Sequence, residues 1–134
     1  MAQQFSNAEN SKSSFSPPQA NLQTLTKRRD FICASRGINY SCGTMVVQVI
    51  QNDLGTIRVG FTCSRKIGNA VVRNRAKRRL RAIAHEVLPK LGRVGFDYVL
   101  IGRHGSTVSS EFKTLENDFI LALEALHLKS DGEA

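Results

Sequence analysis

The stretch from Cys63 to Val87, CSRKIGNAVVRNRAKRRLRAIAHEV, limits what this chain can fold into more than any other. Val72, Ala76, Leu80, Ile83 and Val87 recur at spacings of four, four, three and four, the period of one helix face. The segment is therefore a helix whose apolar side must dock on a core. Arg73, Lys77 and Arg81 form a column beside that stripe. Asn74, Arg78, Arg81 and His85 fill the neighbouring arc, and Arg75 and Arg79 lie on the far side. Like charges one turn apart cost an isolated helix about 0.2–0.5 kcal/mol per pair. An external polyanion removes that cost.

The entry to the helix adds a second anion site. Gly68 permits an unusual turn and Asn69 is a favoured N-cap residue. The first-turn amides then point at the space that Arg65 and Lys66 flank, where a phosphate is the natural occupant. Pro89 marks the expected end of the helix. A charge run of mixed sign is usually a solvated face. Here no acidic residue appears between Arg65 and Arg81, and the run shares its segment with a Gly-Asn helix entry. That combination points to a nucleic-acid surface.

Composition agrees. A chain of 134 residues with 41% hydrophobic content forms one domain with a core. The net charge of +8 favours an acidic partner: nucleic acid first, an anionic membrane second. The charge is uneven, because from Glu111 onward six acidic residues face Lys113 and Lys129. Cys33, Cys42 and Cys63 are odd in number and lack a C-x-x-C, which suits free thiols in a reducing compartment. Zinc binding is not expected, since His85, His104 and His127 also lack ligand spacing. No apolar run is long enough to span a membrane, and no apolar signal core opens the chain, so a soluble, cytoplasmic protein is expected.

Along the chain, residues 1–20 are rich in Gln, Asn and Ser and read as a disordered tail in which Phe5 and Phe15 stand isolated. A short helix is expected over 24–36, capped by Thr24 or Thr26 and closed at Gly37. Leu25 and Ile32 share one of its faces, and Phe31 sits at the edge of that face. Phe31 is either a core residue or a rim aromatic on which an RNA base stacks. Residues 44–50 and 56–63 read as the two strands of a hairpin. In the second, Ile57, Val59, Phe61 and Cys63 face inward. Thr56, Arg58, Gly60 and Thr62 face out, where Arg58 could meet a phosphate. Residues 96–103 form a buried strand with Asp97 near its start. A last helix begins at Ser109 or Ser110, with Phe112, Leu115, Phe119, Ala122 or Leu123, and Leu126 as its core stripe. Residues 129–134 are left as a tail. The order implies a single-domain α+β sandwich, one small sheet with helices packed on it.

The chain has no visible chemistry of its own. Asp30, Asp53 and Asp97 fall on separate elements, and no nucleophile–base pair or phosphate-loop motif is present. A basic surface without catalytic groups argues for binding, with the chemistry elsewhere.

Arg65-Lys66-Ile67-Gly68-Asn69-Ala70-Val71, followed by Arg73-Asn74-Arg75, Lys77-Arg78 and Arg81, resembles the signature of the bacterial ribonuclease P protein component, K-K/R-x-G-N-A-V-x-R-N-R-x-K-R-x-x-R. The likeness is gapless. Its flanks agree at Lys27-Arg28-Arg29-Asp30-Phe31, at Arg58-Val59-Gly60 and at Asp97-Tyr98-Val99-Leu100, and it covers roughly residues 22 to 127. The resemblance implies a family domain over 21–128. It implies a protein subunit that assists a catalytic RNA, which uses Mg²⁺ to remove the 5′ leader of precursor tRNA. Arg65, Lys66, Asn69, Arg73, Asn74, Arg75, Lys77, Arg78 and Arg81 would contact that RNA subunit. Phe31 and Arg58 would touch the leader. No catalytic residue, bound metal, membrane or obligate protein partner is implied for the chain itself. The family's crossover is left-handed, against the general rule. One departure is visible: members often carry a second aromatic one turn after Phe31, and this chain has Ala34 and Ser35. Two rivals are a non-catalytic structured-RNA binder, such as a ribosome-associated protein or chaperone, and a DNA-binding protein with its basic helix in a major groove. The second needs a dimer seam, and no leucine heptad supplies one.

Overall fold

The structure is a computed structural model that describes residues 22–133. The expected tail over 1–20 lies outside them. The elements are β1 (Leu22–Thr24), α1 (Arg28–Ser35), β2 (Ile38–Ser41), β3 (Met45–Gln51), β4 (Ile57–Thr62), a 3₁₀ turn (Arg65–Ile67), α2 (Ala70–Leu91), β5 (Phe96–Gly102), α3 (Ser106–Ser109) and α4 (Phe112–Glu133). The α+β architecture expected from the sequence is present: one mixed sheet with helices on both faces.

The sheet runs β1-β4-β5-β3-β2. The sequence pairs β3 with β4 as a hairpin, and that pairing is wrong. β5 lies between them, antiparallel to β3 and parallel to β4. The reason is burial. Phe96 through Leu100 are all buried, so β5 must be covered on both faces and takes the centre of the sheet. The hairpin that does form joins β2 to β3, with Ile38 opposite Val49 and Ser41 opposite Val46. β1 adds a parallel edge beside β4, pairing Leu22 with Ile57.

One face of the sheet carries the main core. Val47, Val49, Ile57, Val59, Tyr98 and Leu100 meet Leu80, Ile83 and Leu88 of α2 and Leu115, Phe119 and Leu126 of α4. The expected stripe of α2 is thus the buried one, with Val72 at its partly buried start. The helix runs through Pro89 to Leu91, two residues beyond the expected stop. Proline in the last turn is tolerated there, and the Gly92 amide closes the helix on the Leu88 carbonyl at 2.8 Å. In α4 the stripe holds except at Phe112, the first helical residue, which is 43% exposed. Residues 129–133, set apart by the sequence as a tail, continue this helix.

On the opposite face lies α1. The sequence phases this helix on Leu25 and Ile32, and the structure corrects that. Leu25 precedes the helix and extends the β1–β4 pairing, its amide donating to the Val59 carbonyl at 2.8 Å. Its spacing to Ile32 therefore carries no helical phase. Ile32 is 42% exposed, and Ala34 is the residue buried against Leu25 and Val99. Phe31 packs beside them over Gly60, where a Cβ would come within 2.6 Å of the ring.

A buried polar link ties α4 to the sheet. The Tyr98 hydroxyl accepts from the Arg93 amide at 2.9 Å and lies 2.6 Å from Nε2 of His127. The phenol and Nε2 share one hydrogen bond, which pairs two buried polar groups. Burial pushes the phenol up to about 12 and holds His127 below its usual value.

Candidate nucleic-acid interface

The basic helix is entered through a locally determined turn. Ser64 Oγ accepts from the Lys66 amide at 3.3 Å and starts the 3₁₀ turn. Gly68 follows at φ 147° and ψ −161°, a conformation open essentially to glycine alone. Asn69 then caps α2, its Oδ1 accepting from the Val72 amide at 3.0 Å. Such a cap stabilises a helix by about 1 kcal/mol. Arg65, Lys66 and Asn69 are left exposed at the positive end of a 22-residue helix.

Along α2, Asn74, Arg75, Arg78 and Arg81 are exposed and Arg73, Lys77 and Arg79 half-buried. Among the described residues no carboxylate forms an ion pair with any cation from Arg65 to Arg81. The helix's single ion pair, Lys90–Glu86, is near its far end at 3.8 Å. Arg79 differs from its neighbours. Its Nη2 donates to the Ser110 carbonyl beside α3, so this cation anchors the helix to the fold.

A groove of 530 Å³ runs between α1, the sheet and the flank of α2. Thr26, Arg28, Phe31 and Ser35 form one rim. Gln48, Val99 and Ile101 make the floor, and Phe61, Thr62, Cys63 and Lys77 the other rim. Aromatic rings and cations therefore share one channel, and no carboxylate lines it. Phe61, assigned to the core by alternation, packs partly buried against the main core and also borders the groove. The Arg81 guanidinium sits over that ring, 5.6 Å from its centroid. Arg28 was legible as a charge but carried no assignment.

Two arginines on the sheet contrast with each other. Arg58 gives Nε and Nη2 to the two oxygens of Asp97, at 2.8 and 2.7 Å, and Nη1 lies 3.6 Å from Asp30. The Asp97 hydrogen bonds hold its charge above the ordinary arginine value. The sequence offered Arg58 to a leader phosphate, but a phosphate would have to compete with two carboxylates already in place. Arg103, which the sequence did not single out, bonds neutral oxygens instead. Its Nε donates to the Cys42 carbonyl at 2.8 Å and its Nη2 to Ser41 Oγ. Its charge is fixed in place and uncompensated among the described residues.

Residues 20–127 match the family model for ribonuclease P. The chain belongs to the ribonuclease P protein family. It is 53% identical over 109 residues to the ribonuclease P protein component of Ruegeria pomeroyi, covering 79% of this chain and 87% of that one. To the protein of the same name from Caulobacter vibrioides it is 45% identical over 112 residues, covering 82% and 74%. The solved RNase P protein from Thermotoga maritima superimposes with a TM-score of 0.67 at 28% identity, over 76% of this chain and 96% of that one. The chain is thus a protein component of the ribonuclease P ribonucleoprotein, a bacterial endoribonuclease of tRNA processing, and associates with its RNA. Among the described residues, no helix is long and apolar enough to cross a membrane.

Proposed function

We propose that this ribonuclease P protein binds the RNA subunit along α2 and its entry turn. The single-stranded 5′ leader of precursor tRNA runs in the groove beneath α1. The RNA-subunit contacts are Arg65, Lys66, Asn69, Arg73, Asn74, Arg75, Lys77, Arg78 and Arg81. The leader side is Phe31, joined by Arg28 and Arg103, with Arg58 acting through its ion pairs to brace α1 against the sheet. The observation that carries this reading is adjacency. A cationic helix face without internal counter-charges abuts an aromatic, carboxylate-free groove, and Lys77 belongs to both. Two RNAs brought together repel, and cations between them lower that cost.

The same lining bears on the metal. Mg²⁺ takes oxygen ligands from carboxylates and phosphates. The groove and the α2 face offer ammonium and guanidinium groups, so the reading assigns Mg²⁺ to the RNA subunit together with bond cleavage. The chain's own residues bind, orient and screen charge, in the bacterial cytoplasm. Reconstitution tests this. Added to a bacterial ribonuclease P RNA at limiting Mg²⁺, the protein should restore removal of the 5′ leader from precursor tRNA. RNA-free protein that matured the 5′ end unaided would overturn the division of labour.

A further inference from the structure

We propose that Gln48 holds a base of the leader by its edge, on the floor of the groove. The inference rests on reading that groove as the leader site, and deepens it by naming a contact to the base itself. The groove-facing positions of β3 are Val46, Gln48 and Ile50, since alternation turns Met45, Val47 and Val49 into the main core. Ile50 joins the apolar cluster under α1. Gln48 interrupts that apolar row, and the other floor residues, Val99 and Ile101, are aliphatic. The glutamine is half-buried, yet its amide has no hydrogen-bond partner among the described residues and is not sealed from solvent. An amide placed so costs the fold little while water reaches it. It needs a new partner once a bound strand displaces that water.

The sheet register sets this residue in line with the aromatic rim. Gln48 pairs with Val99 across β3 and β5, and Val99 pairs with Gly60 across β5 and β4. Phe31 lies over Gly60 at the far end of that row and packs in the same cluster as Val99. Neighbouring strands are about 4.8 Å apart, so Gln48 stands about 10 Å from Gly60. The charges stand elsewhere, with Arg28 on one rim and Lys77 on the other. Phosphates therefore belong at the rims and bases at the floor. The exposed edge of a base in single-stranded RNA presents donors and acceptors together. A carboxamide has both kinds of group, whereas a phosphate only accepts. Phe31 stacks on any base; Gln48 adds a donor and an acceptor that a base edge meets in full and a phosphate only in half.

The test uses holoenzyme reconstituted with a bacterial ribonuclease P RNA. Affinity is measured for precursor tRNA with a leader of several nucleotides and for the same tRNA without one. Gln48→Leu keeps the side chain's bulk and removes both hydrogen-bonding groups. It should weaken binding of the leader-bearing substrate about three- to tenfold, with the leaderless tRNA within about twofold. Leaders carrying one abasic nucleotide at successive positions then locate the base. At one position the abasic leader should bind the unaltered protein more weakly, and Gln48→Leu should add no further loss; elsewhere the two losses should multiply. Equal weakening of both substrates by Gln48→Leu, or losses that multiply at every position, overturns the proposal. Gln48→Ala gives the same readings if leucine shifts the melting midpoint. Phe31→Ala separates the groove from the edge contact. If it weakens leader binding and Gln48→Leu does not, the edge contact fails while the groove stands. If neither variant discriminates between the substrates, the groove is not the leader site and both fail.

Discussion

The two long helices make the same bargain with the sheet and opposite ones with their surroundings. α2 and α4 each span 22 residues, and both bury an apolar stripe on the same sheet face. α4 carries Glu116, Asp118, Glu124 and Asp131, and two of these charges have partners within the fold. Asp118 accepts from the Thr44 amide and hydroxyl at 3.2 and 2.7 Å, and Asp131 takes both guanidinium nitrogens of Arg93 at 2.7 and 3.1 Å. The cations of α2 from Arg73 to Arg81, Arg79 aside, have neither a carboxylate nor a hydrogen-bond partner among the described residues. Burial decides where a helix lies, and the partner decides what its outer side carries. Charges that serve the fold are met inside the molecule. Charges left unmet inside are open to a partner outside.

Truncating the shared part of the comparison should have the largest effect. Leu80→Ala in α2 and Phe119→Ala in α4 each leave a cavity in the main core, and each should lower stability by about 2–5 kcal/mol in denaturant titrations. If one helix tolerates its cavity, the two are not equivalent supports. The outer sides should then separate. Arg73→Ala with Arg78→Ala should weaken binding of the RNA subunit roughly thirtyfold at about 0.15 M salt, if each removes one phosphate contact. The thermal midpoint should hold; a collapse of the circular dichroism signal would make these arginines structural. Glu116→Ala with Glu124→Ala in α4 should change RNA affinity less than about twofold. For the unaltered protein the log–log salt slope should be roughly −4 to −5 for about six neutralised phosphates, and flatter by roughly 2 in the double arginine variant. Next comes the entry turn. Gly68→Ala should cost about 1–3 kcal/mol, since its φ of 147° disfavours any side chain and a Cβ would meet Val72 at 3.0 Å.

The smallest effect is the pH dependence of the α4 anchor. His127 is held neutral in the fold, chiefly by burial, below the value it has in the unfolded chain. Its contribution is complete above about pH 6.5 and is lost as pH falls through the lowered folded value. Tyr98 bounds the other side. Its contribution is complete below the ordinary value near 10 and is lost as pH rises through about 12. Melting midpoints on the acid side should flatten in His127→Gln, whose amide oxygen can still accept from the phenol. An unchanged acid limb would place the titrating group elsewhere.

What the sequence made legible is what depends on neighbours in the chain. The α2 stripe, the Asn69 cap and the Gly68 turn all lie within one segment, and each is found where periodicity and capping chemistry put it. The misjudged features depend on residues far apart. Nothing near β3 reveals that β5 will come between it and β4. Arg58 looked available because Asp97, which binds it, lies 39 positions on. Arg103 went unnoticed because its partners Ser41 and Cys42 lie more than 60 positions back. The phase of α1 was misread for a different reason. A strand of three residues gave no pattern of its own, so Leu25 was counted into a helix that starts at Arg28. Phe61 obeyed strand alternation, which tells inward from outward but not which residues border a groove.

The placement of α2 between neighbouring parallel strands has a mechanical consequence. Its N-terminus continues from β4 and its C-terminus leads into β5, and those strands are paired from Arg58–Asp97 to Thr62–Ile101 in the middle of the sheet. A pull on the helix from a bound partner is thus borne as shear along an entire ladder, whose rungs must yield together. It cannot peel a strand from the rim one bond at a time.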